Sequence, residues 1–118
     1  MRLTYDKLKE IKEIWEDVKW HYGKSRYYPW VPTLVVIHDT QATTFAEFCT
    51  EEREVITNVA GVESMKKIIQ SIIHEYVHYL QHPGWYTRYE QDYGYTKNPY
   101  EIEANEIAER DWKLFEQK

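Results

Sequence analysis

The sequence predicts an α+β fold: an N-terminal helix, a small mixed or antiparallel sheet, a helix bearing two histidines, and a C-terminal helix headed by glutamate. Three observations predict it. Apolar residues recur at helical spacing in residues 8–18, 62–80 and 101–115. Between the first two stretches, Thr33-Leu34-Val35-Val36-Ile37 is an apolar run of strand length. Residues 44–50 and 55–59 flank Glu51-Glu52-Arg53, the pattern of a hairpin.

Taken in order, Thr4 can cap the first helix, whose buried face is Leu8, Ile11, Trp15 and Val18; Gly23 is its expected stop. Tyr27, Tyr28, Pro29 and Trp30 form an aromatic loop, and the run from Thr33 reads as a buried strand. Gly61 breaks the chain ahead of the next helix. There, Val62, Met65, Ile68, Ile69, Ile72, Ile73, Tyr76, Val77 and Leu80 form one apolar stripe. Residues 83–99 read as an aromatic-rich loop. Asn98-Pro99 then starts a helix over 100–115, which contains no Gly or Pro.

The middle helix carries His74-Glu75-Tyr76-Val77-His78, the pattern HExxH. Histidines at i and i+4 stack on one helical face, so two neutral imidazoles can reach one Zn²⁺. The carboxylate of Glu75 falls beside the metal, where it can accept a proton from water. At about 100° per residue, His74 and His78 lie nearly opposite the apolar stripe, so a cleft rather than the core receives them. The alternative reading of the pair is two solvent-facing histidines on an amphipathic helix.

The residues after His78 restrict the third ligand. Gln81 and Gly84 occupy the offsets at which a metzincin has glycine and histidine. His82 is expected on the same helix, too far along it to share an ion with His74. A carboxylate on the last helix remains. Glu101, Ala104, Asn105, Ala108, Trp112 and Phe115 share a face, and small Ala104 and Ala108 permit close approach to a neighbouring helix. A glutamate on a buried face is costly unless paired or metal-bound, so Glu101 is the expected ligand. Glu103 and Glu106 point to solvent. Asn105, one turn after Glu101, is expected to hydrogen-bond a ligating histidine.

His74-Glu75-Tyr76-Val77-His78 followed by Glu101-Ile102-Glu103-Ala104-Asn105 resembles the gluzincin pattern of HExxH plus a downstream glutamate helix. It is similar to ImmA/IrrE-type metallopeptidases and to minimal soluble gluzincins, over roughly residues 43–110. Asn105 stands where many gluzincins have aspartate. The resemblance implies a zincin-like fold, Glu101 as ligand, and a zinc-dependent metallopeptidase with a peptide or protein substrate. It also implies that the last strand before the HExxH helix, with Ile56, Thr57 and Asn58, is the edge that pairs with substrate. A binding or structural protein of the same fold, its metal purely structural, is the alternative; intact Glu75 favours the enzyme.

Composition fits one domain over 1–118, with a net charge of −5 that argues against a nucleic-acid footprint. No membrane-spanning segment or signal peptide is expected, and the single Cys49 suits a reducing compartment, so a cytoplasmic location is expected. Cys49 reads as a packed strand residue rather than a nucleophile. His21 and His38 read as structural or exposed. Five Trp and eleven Tyr supply apolar area with polar edges and a surface for a protein partner. Trp85, Tyr86, Arg88, Tyr89, Tyr93 and Tyr95 cluster in 83–99; one of them can donate to an oxyanion, and spacing does not choose which.

Overall fold

The computed structural model describes residues 1–117 as four helices and a three-stranded mixed sheet; Lys118, the last residue of the expected domain, lies outside the described residues. Helix α1 spans Tyr5–Tyr22. Thr4 caps it by accepting from the Lys7 amide, and the chain leaves it at Gly23, whose φ of 78° is open to glycine. Its buried residues are Ile11, Ile14, Trp15 and Val18, so the stripe includes Ile14 while Leu8 is only half-buried.

Strands β1 (Thr33–Ile37), β2 (Ala46–Cys49) and β3 (Glu54–Asn58) lie in the order β1-β3-β2. β2 and β3 form the expected antiparallel hairpin, with Cys49 opposite Glu54 and Arg53 at positive φ in the turn. β1 runs parallel to β3, Thr33 opposite Glu54 and Ile37 opposite Asn58. Only Leu34 of β1 is fully buried, so it is a half-covered edge rather than a buried strand. β3 is central: Ile56 and Thr57 pair with β1 on one side and β2 on the other, and Asn58 pairs with Ile37 of β1 while its amide donates to the Phe45 carbonyl, which overturns their assignment to a free edge. The two sheet edges are β1 and β2.

Helix α2 (Met65–Leu80) begins three residues later than the apolar stripe, with Ser64 as its cap; Val62 is buried just ahead of it. It packs against β2 and β3, α1 and the final helix, burying Ile68, Ile69, Ile72, Ile73, Tyr76 and Val77. A single cluster joins these to Ile11, Ile14, Trp15 and Val18 of α1, Val55 of β3 and Phe115 near the C-terminus. Burying each such aliphatic side chain contributes about 1.5–3 kcal/mol.

Two expectations fail immediately after α2. The helix stops at Leu80, so His82 is not a further turn of it. Instead His82 caps a helix α3, Pro83–Tyr93, its Nδ1 accepting from the Trp85 amide at 3.2 Å. Gly84 makes room for that ring, since a Cβ there meets His82 Cε1 at 2.9 Å. The expected loop is therefore mostly helical. Trp85, Tyr89 and Tyr93 sit at i, i+4 and i+8, and their rings follow one another at 5.6 and 6.2 Å. None of the α3 residues is buried, so the helix lies on the outside of the molecule.

Asn98 and Pro99 start helix α4 (Pro99–Asp111) as expected, and a 3₁₀ turn follows at Trp112–Phe115. The Tyr22 hydroxyl donates to Asp111 Oδ2 at 2.6 Å, tying α1 to the end of α4. Among the described residues, no helix is long and apolar enough to cross a membrane.

Candidate metal centre

α2 and α4 pack side by side, and Ala104 and Ala108, both buried, keep their approach close. The first turn of α4 thereby meets the last two turns of α2. Glu101, 4 % exposed, directs one carboxylate oxygen at each histidine: Oε1 lies 2.9 Å from His74 Nε2 and Oε2 lies 3.1 Å from His78 Nε2. The two Nε2 atoms are 3.1 Å apart, and the rings stand nearly perpendicular at 85°. His74, His78 and Glu101 therefore form a three-donor group, all donors within 4.8 Å of one another, that can hold a metal ion.

The donor set fits zinc. Donors about 2.1 Å from one tetrahedral Zn²⁺ stand about 3.4 Å apart; the two Nε2 atoms, 3.1 Å apart, and the separation of each carboxylate oxygen from its own histidine come within about half an ångström of that. Two imidazole nitrogens and one carboxylate are donors that would suit a borderline-soft divalent ion.

The charges respond to this crowding. Burial pushes Glu101 toward its neutral form, but hydrogen bonds to His74, His78 and Tyr86 outweigh it and hold its carboxyl well below the usual range. Burial likewise disfavours the His78 imidazolium, and the contacts to Glu101 and Gln81 reverse that, raising its pKa. Glu75 lies beside the group, its Oε2 3.8 Å from His74 Nε2 and its side chain 13 % exposed. Burial raises the Glu75 pKa, Glu101 adds to the rise, and the histidines oppose it.

Two cavities flank the donors. One, of about 400 Å³, is bordered by Tyr28, Phe48, Pro83 and Tyr86 beside His78. The other, of about 610 Å³, is bordered by Lys67, Gln70, Asn105 and Glu109 beside His74. Ala46, His74, Glu75 and Tyr95 border both, so β2 runs along the cleft as its outer rim.

The fold brings His74, Glu75, His78 and Glu101 together as the sequence predicts. Asn105 departs from expectation: it is exposed, and among the described residues no hydrogen bond joins it to either histidine. The buried residues of α4 are Glu101, Ala104, Ala108 and Asp111. Their arc is centred about 80° round the helix from Asn105, which leaves Asn105 on the flank. The neighbour that does touch His78 is Gln81, whose Oε1 lies 2.7 Å from Nδ1. Its spacing, three residues after His78, is a signal the sequence carries. Glu103 is exposed, yet its Oε1 accepts from Gln81 Nε2 at 3.0 Å rather than facing only water.

Tyr86 donates its hydroxyl to Glu101 Oε2, a contact that no spacing announces, and burial raises its pKa. Cys49 is half-buried at the end of β2; burial and the neighbouring Glu47 push its thiol up to about 12, which disfavours the thiolate. His21 and His38 are exposed and outside the cluster.

No protein-family model matches the chain, nor does any curated protein or solved structure.

Proposed function

We propose that this chain is a zinc-dependent metallopeptidase of the gluzincin type, with a zincin-like arrangement of α2 and α4. The observation that carries the proposal is Glu75, a largely covered carboxylate 3.8 Å from His74 Nε2 at the rim of an open cleft. A purely structural zinc site has no use for a base there. His74, His78 and Glu101 would hold a Zn²⁺ ion, which would lower the pKa of water and polarise a carbonyl.

The residues around it divide the remaining work. Glu75 accepts the proton of the attacking water and returns it to the leaving amine nitrogen; burial raises its pKa toward the range useful for both transfers. β2 offers main-chain groups of residues 46–49 on the cleft side, so an extended peptide would align along β2, not β3. Phe48 and Tyr28 form an apolar wall that keeps water from the far side of such a peptide. Tyr86 and Tyr95 both direct their hydroxyls toward Glu101, and Tyr95, which borders both cavities, is the more widely placed candidate oxyanion donor. A cytoplasmic protein or peptide substrate is consistent with the lone unpaired cysteine.

Exposed Trp85, Tyr93 and Tyr95 favour a second reading, a scaffold in which metal only braces α2 against α4 while the aromatic face of α3 holds a partner. Incubating zinc-loaded protein with unfolded proteins and a peptide library separates the two. Chelator-sensitive new peptide termini establish the peptidase. A partner held independently of Glu75 and left uncleaved establishes the scaffold.

A further inference from the structure

We infer that Gln81 is the positioning residue of the metal centre: it fixes the His78 ring with Nδ1 protonated and Nε2 free to ligate, and it registers α4 against α2. This inference rests on the metal reading of His74, His78 and Glu101.

Donors and acceptors around the amide leave one arrangement. Gln81 is 6 % exposed, so its amide must find protein partners. Its Nε2 lies 2.9 Å from the Tyr100 carbonyl oxygen and 3.0 Å from Glu103 Oε1. A carbonyl oxygen can only accept, and so can an ionised carboxylate. Turning the amide over would set its oxygen against both, so the nitrogen belongs on that side whatever His78 does. Its oxygen therefore faces His78 Nδ1 at 2.7 Å, and an amide oxygen can only accept. The proton must sit on Nδ1. A neutral ring so oriented carries its lone pair on Nε2, the atom that faces His74 and Glu101.

The backbone explains why position 81 can do this. Gln81 is the C-cap of α2, extended at φ −84° and ψ 155°, with its own N–H on the carbonyls of Val77 and His78. Leaving the helix there turns its side chain back over the ring one turn earlier. The same amide holds the Tyr100 carbonyl, immediately before Glu101. One side chain thus orients one ligand, the role the sequence suggests for Asn105, and also anchors the helix that supplies another. A carboxylate could accept from Nδ1 but could not donate to Tyr100, so glutamine is the residue that satisfies both sides.

The test uses the full chain with ¹⁵N-labelled histidine and two variants, Gln81→Met and Gln81→Glu. In zinc-free wild type, the exchange-protected imidazole proton of His78 should couple to Nδ1, and it should vanish in Gln81→Met. The absence of a protected proton on Nδ1 overturns the inference, whether or not Nε2 is also protonated toward Glu101, and this measurement needs neither a variant nor bound metal. Zinc affinity, read by competition with a chromophoric chelator, should fall about 10- to 100-fold in Gln81→Met and less in Gln81→Glu, which keeps the acceptor. An affinity for Gln81→Met within about twofold of wild type overturns it. Wild type that binds no zinc would sink the metal reading, while the site of the protected proton would still decide the role of Gln81.

Discussion

Glu101 spans His74 and His78, one carboxylate oxygen 2.9 Å from the first ring and the other 3.1 Å from the second. A single side chain at the head of α4 thus closes a group that α2 alone leaves two-coordinate. The full chain should bind one Zn²⁺, measured by elemental analysis after loading and desalting. Glu101→Gln should weaken binding by more than about 100-fold, beyond what loss of a supporting contact usually costs. Protons compete for the same nitrogens, which sets the sign, and the raised pKa of His78 moves the onset. Affinity should fall as pH drops, beginning above the ordinary histidine value of about 6.5.

Asn105→Ala should leave zinc affinity within about threefold of wild type, because the residue is exposed and touches neither ring. Glu103→Gln should do likewise: Tyr100 still accepts from Gln81 Nε2 and keeps that amide oriented. A large loss in either variant would mean that α4 is rotated about its axis from the phase that buries Glu101, Ala104 and Ala108. Both are read in the same chelator competition.

Ala104 is wholly buried where α4 approaches α2. Ala104→Leu inserts volume into that contact and should cost about 1–3 kcal/mol in denaturant unfolding. It should also lower zinc affinity, because the extra side chain moves Glu101 away from the histidines. Wild-type affinity in this variant would show that the site tolerates separation of the two helices.

Asp111 gives a pH signature away from the metal. Its ion pair with Arg110 lowers its pKa most; burial opposes that, and the Tyr22 hydroxyl adds to the lowering. A depressed folded pKa means the unfolded chain takes up the proton first as pH falls. The stabilisation is therefore complete above about pH 4, the ordinary aspartate value, and fades as acid approaches the lower folded value. Asp111→Asn should lower Tm by several degrees at neutral pH, and the gap from wild type should narrow below about pH 4. A gap that stays constant from neutral pH into acid would show that the carboxylate charge contributes nothing.

How much of the structure is legible in the sequence depends on how local each signal is. Caps at Thr4 and Asn98, the stop at Gly23 and the His74–His78 stack are set within a turn of their own residues, and all are found in place. Glu101 is legible because a buried glutamate beside two small residues demands a partner. The strand order is not, because pairing of β1 with β3 joins residues twenty-one apart through a parallel crossover that no turn chemistry marks. Helix α3 is hidden by Pro83 and Gly84, which read as breakers; in fact proline at the first helical position is compatible, and the Trp85, Tyr89 and Tyr93 spacing is the better guide. Asn105 and Gln81 exchange roles because a wheel gives phase only to within the width of a face, whereas the exit of the chain at Leu80 decides which side chain folds back.

Glu75 separates enzyme from scaffold. Glu75→Gln preserves side-chain size and leaves His74, His78 and Glu101 untouched, so fold and zinc content should match wild type. Among the described residues it removes the one carboxylate, other than Glu101, within 4.0 Å of a donor histidine, so peptide hydrolysis should fall by at least about 100-fold. Zinc content, unfolding temperature and cleavage are measured on the same preparations. Because burial raises the Glu75 pKa, wild-type kcat/KM should also decline on acidification from a point above the usual glutamate range, as the base becomes protonated. Cleavage by Glu75→Gln at the wild-type rate, with zinc still required, would remove Glu75 from the chemistry. The base would then have to come from elsewhere in the cleft.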